Sequence, residues 1–474
     1  MGNRIVYPWR ACPAIVEMGK NLEILFENQT ASPMDTVFLE GPFNRVVILN
    51  PEIQSGRFEY DSFTKMSVNN KIKITIPEGI PEELYDLVVK CGGEVSRSKK
   101  SVKVVKKFLN PYCFIHITDP HTSRQWVGTP EDGYAKELEL LDKFIEVANI
   151  IHPEFIIVTG DIIHHYTRIN ADSIGWGGTL LTKWEELPTV EEKYRNYFEG
   201  SHGLSGVYGF NAPTFSLPGN HDFYGYNSDD YRNIASLWNR VMGKRVYGFA
   251  YSDTRVIAAD DYLGDPVIDI PAHAPMSGLQ GIALDSFLNV VGTGKLRIMA
   301  QHRYDRVDTS FLNSRQISLL LNGHSHIPHH EYVGTTPTLS IRPGVVCRSG
   351  EIDQWEKTLG FFRIFTIDGD SYSFSEPIRF CDNPVEAYNN IRPNLSLTFG
   401  NDNTGKSKSN EVVLVNDLSI SLKDCNIRFI MAKGNYKVEG GAIYQSIETP
   451  LYTVLDVRLN VEAKSKKVVK VVIK

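Results

Sequence analysis

Cysteine is scarce in this chain, six in 474 residues, and no two are spaced as C-x-x-C. A zinc ribbon or a dithiol redox motif is thereby excluded as the organising feature. Cys12 and Cys91 bracket the first β-rich segment and could form a disulfide, with buried free thiols as the other reading. No apolar run approaches the ~20 residues of a membrane span, so no transmembrane segment is expected. The start, Met1-Gly2-Asn3-Arg4-Ile5-Val6-Tyr7-Pro8, lacks the apolar centre of a signal peptide. Two expectations stay open: a cytosolic protein, or a secreted or extracytoplasmic one whose signal segment is absent from this chain. Long runs of Lys or Arg are missing too, and 50 basic against 56 acidic residues leave a net charge of −6. A nonspecific grip on nucleic acid would normally need a basic stripe, and there is none.

The chain is rich in apolar residues instead, 42% hydrophobic and 11% aromatic, as a well-packed soluble protein is. Its length exceeds one ordinary core, so two or three domains are expected. Between residues 14 and 105, short strands at 22–26, 46–49, 71–76, 84–89 and 101–105 alternate with Pro and Gly turns. That pattern reads as an immunoglobulin-like or fibronectin-like sandwich.

The periodicity then changes. A strand at 112–118, an amphipathic helix over 134–151 with Leu138, Leu141, Phe144, Ile145 and Ala148 on one face, and a buried strand at 155–158 make a β-α-β unit. Such a unit implies a parallel sheet with helices on its faces. The alternation continues through strands at 214–217, 256–259, 296–299 and 317–321 and helices at 230–242 and 279–291. Segments 338–341 and 361–367 look antiparallel and are expected to complete a second sheet. From about residue 384 short strands return, at 411–415, 427–431, 452–457 and 467–473, and read as a second small all-β domain. The expected domains are therefore 1–108, 109–383 and 384–474.

Chemistry concentrates in the middle segment. In order along the chain stand Asp119-Pro120-His121, Gly160-Asp161, Gly219-Asn220-His221-Asp222, His302 and Gly323-His324-Ser325-His326, most of them closing an apolar strand. Side chains so placed can converge on one sheet edge, and carboxylate oxygens with imidazole nitrogens suit divalent first-row metals. A carboxylate shared between two ions keeps them ~3.5–4 Å apart. Gly160, Gly219 and Gly323 precede these residues where a strand must turn sharply and bring backbone close.

The ordered set D-x-H, G-D, G-N-H-D, a lone His and G-H-x-H resembles the calcineurin-like metallophosphoesterase superfamily, over roughly residues 110–381. The resemblance implies an α/β fold, a two-sheet metallophosphoesterase sandwich, here flanked by small all-β modules. It implies an enzyme, a metal-dependent phosphoric ester hydrolase with a dinuclear centre. By the same resemblance one ion would be held by Asp119, His121, Asp161 and His326, the other by Asp161, Asn220, His302 and His324. A hydroxide between them would attack phosphorus in line, with His221 protonating the leaving oxygen or binding a phosphoryl oxygen and Asp222 a candidate to orient it. The ligand set accepts Mn, Fe, Zn, Co or Ni. Expected substrates are phosphorylated small molecules or phosphodiesters. His164 and His165 are candidates for substrate contact, and Arg303 for a phosphate clamp.

Departures narrow the subclass. Purple acid phosphatases resemble this pattern but have D-x-G first and a Tyr ligand three residues after the G-D aspartate; here His121 replaces that Gly and His164 stands at the Tyr position. Protein Ser/Thr phosphatases carry G-D-x-x-D-R-G, whereas this chain has Gly160-Asp161-Ile162-Ile163-His164-His165. The segment 163–212, with Tyr166, Arg168, Trp176 and Trp184, is long enough to roof the metal edge. Two alternatives accompany the hydrolase reading: an inert binding or adhesion protein on the same core, and a nuclease or nucleotide hydrolase using Trp176, Tyr224 and Tyr226 to stack bases. Of the remaining histidines, His116, His152, His202 and His273 are expected to be structural or solvated, and His329 and His330 to lie in a surface loop.

Overall fold

A run such as Ile156-Ile157-Val158-Thr159 has no apolar–polar alternation and needs cover on both faces. The computed structural model supplies it, with all four residues buried in a parallel sheet. The structure describes residues 2–122, 135–163, 189–201, 203–223, 231–261, 278–290, 294–347, 360–381 and 391–474.

Two mixed sheets form the centre. In the first, strands Thr214–Leu217, Ile156–Thr159 and Tyr112–Ile117 run parallel, followed by Phe361–Asp368 and Ser371–Phe374 in antiparallel order. In the second, Thr254–Ala258, Leu296–Ala300, Leu319–Leu321 and Leu339–Arg342 are parallel, with Tyr247–Tyr251 and His329–Tyr332 antiparallel at the edges. The period of two along each strand divides the core into layers. Phe114, Phe155, Ile157, Phe215, Ile298 and Leu319 fill the space between the sheets. There Phe155, Phe114 and Phe365 stack with centroids 4.9 and 4.7 Å apart. Ile115, Ile156 and Val158 face the other way, onto helix Ala135–Ile151 and its Leu141, Phe144 and Ala148. Helices Gly278–Val290 and Thr309–Ser314 cover the outer face of the second sheet through Leu284, Leu288 and Phe311. Helix Ala135–Ile151 stops at His152, which takes a left-handed φ of 57° and donates its amide to the Ala148 carbonyl just ahead of Pro153.

One expectation about the sheets is corrected. Leu339–Arg342 joins the second sheet but lies parallel to Leu319–Leu321, and Phe361–Asp368 belongs to the first sheet, antiparallel to Tyr112–Ile117. The strand between, His329–Tyr332, has all four residues exposed and takes the edge, reversing the chain. Leu339–Arg342, buried throughout, then enters the sheet in the same direction as Leu319–Leu321. His329 and His330 thus lie on an exposed edge strand rather than in a loop.

The flanking regions are all-β. The N-terminal one has a four-stranded and a five-stranded sheet, the C-terminal one a four-stranded and a three-stranded sheet. The pairing of Cys12 with Cys91 does not occur: both thiols are free. Cys12 packs between the two central sheets, whereas Cys91 lies inside the N-terminal sandwich, so the two belong to different cores. The flanks are also joined to the centre. Ala11 accepts from the Ser216 amide and donates to the Met242 carbonyl. Asp61, on the N-terminal side, accepts from Arg245 Nε at 2.9 Å and Asn239 Nδ2 at 2.7 Å, while Arg245 also reaches Asp260 at 2.7 Å. One apolar cluster runs from Phe144 and Ile150 into Leu395, Ile427 and Phe429 of the C-terminal strands.

Candidate metal centre

Strands Tyr112–Ile117, Ile156–Thr159, Thr214–Leu217, Leu296–Ala300 and Leu319–Leu321 end on one side of the two sheets, and each motif follows one of them. The turns are built by backbone bonds between motifs. Asp119 N donates to the Gly160 carbonyl, His121 N to the Asp161 carbonyl and Gly323 N to the His302 carbonyl. Close approach explains the glycines: a Cβ on Gly160 would sit 2.5 Å from His302 Nδ1, and one on Gly219 2.3 Å from Asp161 Oδ1.

Each carboxylate spends one oxygen on the frame and turns the other inward. Asp161 Oδ1 accepts the His221 amide at 2.8 Å, and Asp119 Oδ2 the His324 amide at 3.2 Å. Asp119 Oδ1 and Asp161 Oδ2, both buried, have no hydrogen-bond partner. Around them His121 Nε2 lies 3.6 Å from each and 3.2 Å from His326 Nε2, which is 3.3 Å from Asp119 Oδ1. A tetrahedral cation with donors at ~2.1 Å spaces them ~3.4 Å apart, so this group has the dimensions of a metal site.

Asp161 also belongs to a second group, with His302 and His324. His302 Nδ1 donates to the Thr159 carbonyl at 2.7 Å, which orients the ring so that Nε2 faces Asp161 Oδ2 at 3.1 Å. Neither Asn220 amide atom has a partner although the residue is wholly buried. An unbonded buried amide costs about 1–3 kcal/mol, which a cation at its oxygen would relieve. Among the described residues these are the groups with metal-ligand spacing.

The electrostatics agree. Burial opposes charge on Asp119, yet His121 and His326 hold its carboxyl well below the ordinary value. Burial likewise opposes charge on Asp161, and His302 and His221 lower it. At His302 the Asp161 carboxylate overcomes burial and raises the imidazole to about 10, while burial and His302 push His324 down to about 4. Imidazoles and carboxylates packed this tightly neutralise each other here, a task that divalent ions perform when bound.

Residues 114–328 match the family described as calcineurin-like phosphoesterase. That middle segment is similar to the calcineurin-like phosphoesterases. Its core carries the metallophosphoesterase fold, and the Asp/His groups above have the spacing to hold divalent metal. Comparison with curated proteins gives no match. Among solved structures the chain is similar to a dimetal phosphatase from Danio rerio, at 13% identity and TM-score 0.36, over 57% of this chain and 96% of that one. Another is GAP50, the anchor in the inner membrane complex of Plasmodium, at 13% identity and TM-score 0.33, covering 57% and 85%. A third is Vps29 of Entamoeba histolytica complexed with zinc, at 11% identity and TM-score 0.25, covering 57% and 93%.

Of the residues expected from sequence, Asp119, His121, Asp161, His302, His324 and His326 come together in the phosphoesterase core, and Asn220 is buried in the turn that follows Thr214–Leu217. The His221 ring stands 4.8 Å from that of His121. Asp222 is buried and its carboxylate accepts from the amides of Gly219 at 2.7 Å, Ile162 at 3.3 Å and Ile163 at 3.2 Å. Burial and then the Asp161 charge raise it to about 8. Its bonds tie two motif turns together, which differs from the expected role of orienting His221. The Arg303 guanidinium is paired with Asp305 at 2.9 and 2.7 Å, and its amide donates to Asp261. His164, His165, Tyr166, Arg168, Trp176, Trp184, Tyr224 and Tyr226 lie outside the described residues, as do His202 and His273. His116 is structural as expected: it is wholly buried against Thr159 Oγ1 at 2.9 Å, and burial lowers its pKa to about 3. Sequence reasoning missed Thr159, Asp261 and Tyr304. Thr159 acts through its carbonyl, which no side-chain pattern reveals, while Tyr304 lies two residues past His302.

Proposed function

We propose that this chain hydrolyses phosphate esters at a centre of two divalent ions. One ion is assigned to Asp119, His121, Asp161 and His326, the other to Asp161, Asn220, His302 and His324. The observation that carries the reading is Asp161, whose inward carboxylate serves both donor groups. Mn, Fe, Zn, Co and Ni all suit these nitrogen and oxygen donors. Bound, the ions supply Lewis acidity toward phosphoryl oxygens and an ionised water near neutral pH.

The chain's own groups do the rest. Asp161 fixes His221 by accepting its amide, and the imidazole faces the centre beside His121, where it delivers a proton to the leaving oxygen. Asp222 is a positioning residue that locks the Asp161 and Asn220 turns to each other. His164 and His165 remain candidates for substrate contact, and Arg303 can reach a phosphate only by leaving Asp305. The parts of the chain are assigned as a β-sandwich over 1–108, the catalytic unit over 109–383 and an all-β unit over 384–474. No described helix is long and apolar enough to cross a membrane.

Elemental analysis and turnover of p-nitrophenyl phosphate and bis-p-nitrophenyl phosphate with Mn²⁺ test this reading. Two ions per chain are expected, and activity that chelation removes and Mn²⁺ restores. Asp161→Asn should lower the ion content and cut turnover by roughly 10³-fold or more. Two bound ions with no hydrolysis of either ester, nor of a metabolite panel, would mark the chain as a binding protein on this core.

A further inference from the structure

Beside the second donor group stands an aromatic side chain that the mechanism does not use. The Tyr304 ring centroid is 6.2 Å from that of His324, with the planes tilted by 42°. The Arg342 guanidinium lies over this ring at 4.1 Å. Arg342 is buried in strand Leu339–Arg342, pairs with Glu331 at 3.4 Å, and its carbonyl accepts from Arg363. A cation so fixed holds the ring by cation–π attraction, worth about 0.5–2 kcal/mol, and restrains its rotation. Yet Tyr304 keeps 38% of its surface accessible, and Ile327, directly after His326, keeps 55%. An aromatic ring that is both braced and open, touching a proposed metal ligand, is a preorganised apolar surface at the place where the organic part of an ester must lie.

We infer that Tyr304, backed by Arg342, is a stacking shelf for a planar aromatic group carried by the substrate. The inference rests on the phosphoesterase reading and names its substrate class: aryl or nucleobase-bearing phosphate esters, in preference to phosphorylated sugars and polyols. Stacking on an aromatic side chain contributes about 1–3 kcal/mol, enough to separate these classes by tenfold or more. Arg342 is a positioning residue in this scheme, because it acts through the ring.

Binding of non-hydrolysable ligands tests the shelf without requiring turnover. Calorimetry on the Mn²⁺-loaded full chain should show phenylphosphonate or the methylenephosphonate analogue of adenosine 5′-monophosphate binding about tenfold tighter than methylphosphonate. Tyr304→Ala should erase the preference with Mn²⁺ stoichiometry unchanged, and Tyr304→Phe should keep it. Equal affinity for aromatic and methyl ligands in the wild type, or a preference that survives Tyr304→Ala, overturns the shelf and leaves the hydrolase intact. If no phosphonate binds and no ester is turned over, the phosphoesterase reading fails first and the shelf with it.

Discussion

Asp119, His121, Asp161, His324 and His326 all adopt positive φ, between 45° and 71°, a region that residues with a side chain avoid. Each such residue costs of order 1–3 kcal/mol and persists only where its surroundings hold it. Here the surroundings are the hydrogen bonds donated by backbone amides from one motif to the next, and what the strain secures is inward-pointing donors on adjacent turns. His221 permits a sharp test at this scale. His221→Ala should lower kcat by about 10²–10⁴-fold on an alkyl phosphate, whose alkoxide needs a proton as it leaves. The loss should be much smaller on p-nitrophenyl phosphate, whose leaving group needs none, with metal content unchanged. Equal losses on both esters would remove the proton-donor role.

The elements that carry the motifs are held by contacts away from the donor groups. Arg245 is buried between Asp61, from the N-terminal sandwich, and Asp260, at the end of Thr254–Ala258. Asp261, next in the chain, receives the Arg303 amide directly after His302. The N-terminal strands are thus linked to the His302 turn through a handful of polar contacts. Removing one partner of a buried pair strands the other charge, so Asp61→Ala should destabilise the fold by about 3 kcal/mol in urea denaturation. A change below ~0.5 kcal/mol would mean that Arg245 is satisfied by Asp260 alone. Asp61 carries no motif, and nothing in its local sequence indicates a partner 184 residues away.

For the whole molecule, the packing of the C-terminal strands on helix Ala135–Ile151 has a pH signature. Arg458 Nη1 donates to His152 Nδ1 at 3.0 Å. Burial, then the charges of Arg458 and Lys103, hold the His152 imidazole well below its ordinary 6.5, so it stays neutral in the folded chain. The unfolded chain takes up a proton there below about pH 6.5, the folded chain does not, and stability therefore falls as pH falls through that value. His152→Asn, which tolerates the left-handed φ, should remove this term. Relative to pH 7.5, the wild type should lose about 1 kcal/mol more than the variant by pH 5.5, read from denaturation midpoints. Parallel pH profiles would show that the junction does not exclude the proton.

How much of this was readable beforehand depended on range. The helix over 134–151 and the strands at 112–118 and 155–158 were legible because burial on a covered parallel sheet imposes a local pattern. The site residues were legible because the chemistry requires particular side chains at turns that follow strands. Phe361–Asp368 was placed in the wrong sheet because strand partnership depends on which edge is free. In the N-terminal region the exposed strand Glu52–Asp61 escaped notice, since its outward residues show no apolar alternation.

By itself, the sequence determined which residues could bind metal and which segments of clear apolar periodicity would become strands and helices, since both are properties of side-chain chemistry and local pattern. Only the tertiary structure decided that Asp161 Oδ2 is shared, that Thr159 orients the His302 ring, that Asp222 ties turns together and that Tyr304 is braced by Arg342. Those outcomes depend on distances between positions far apart in the chain, and such distances are set by how whole sheets pack.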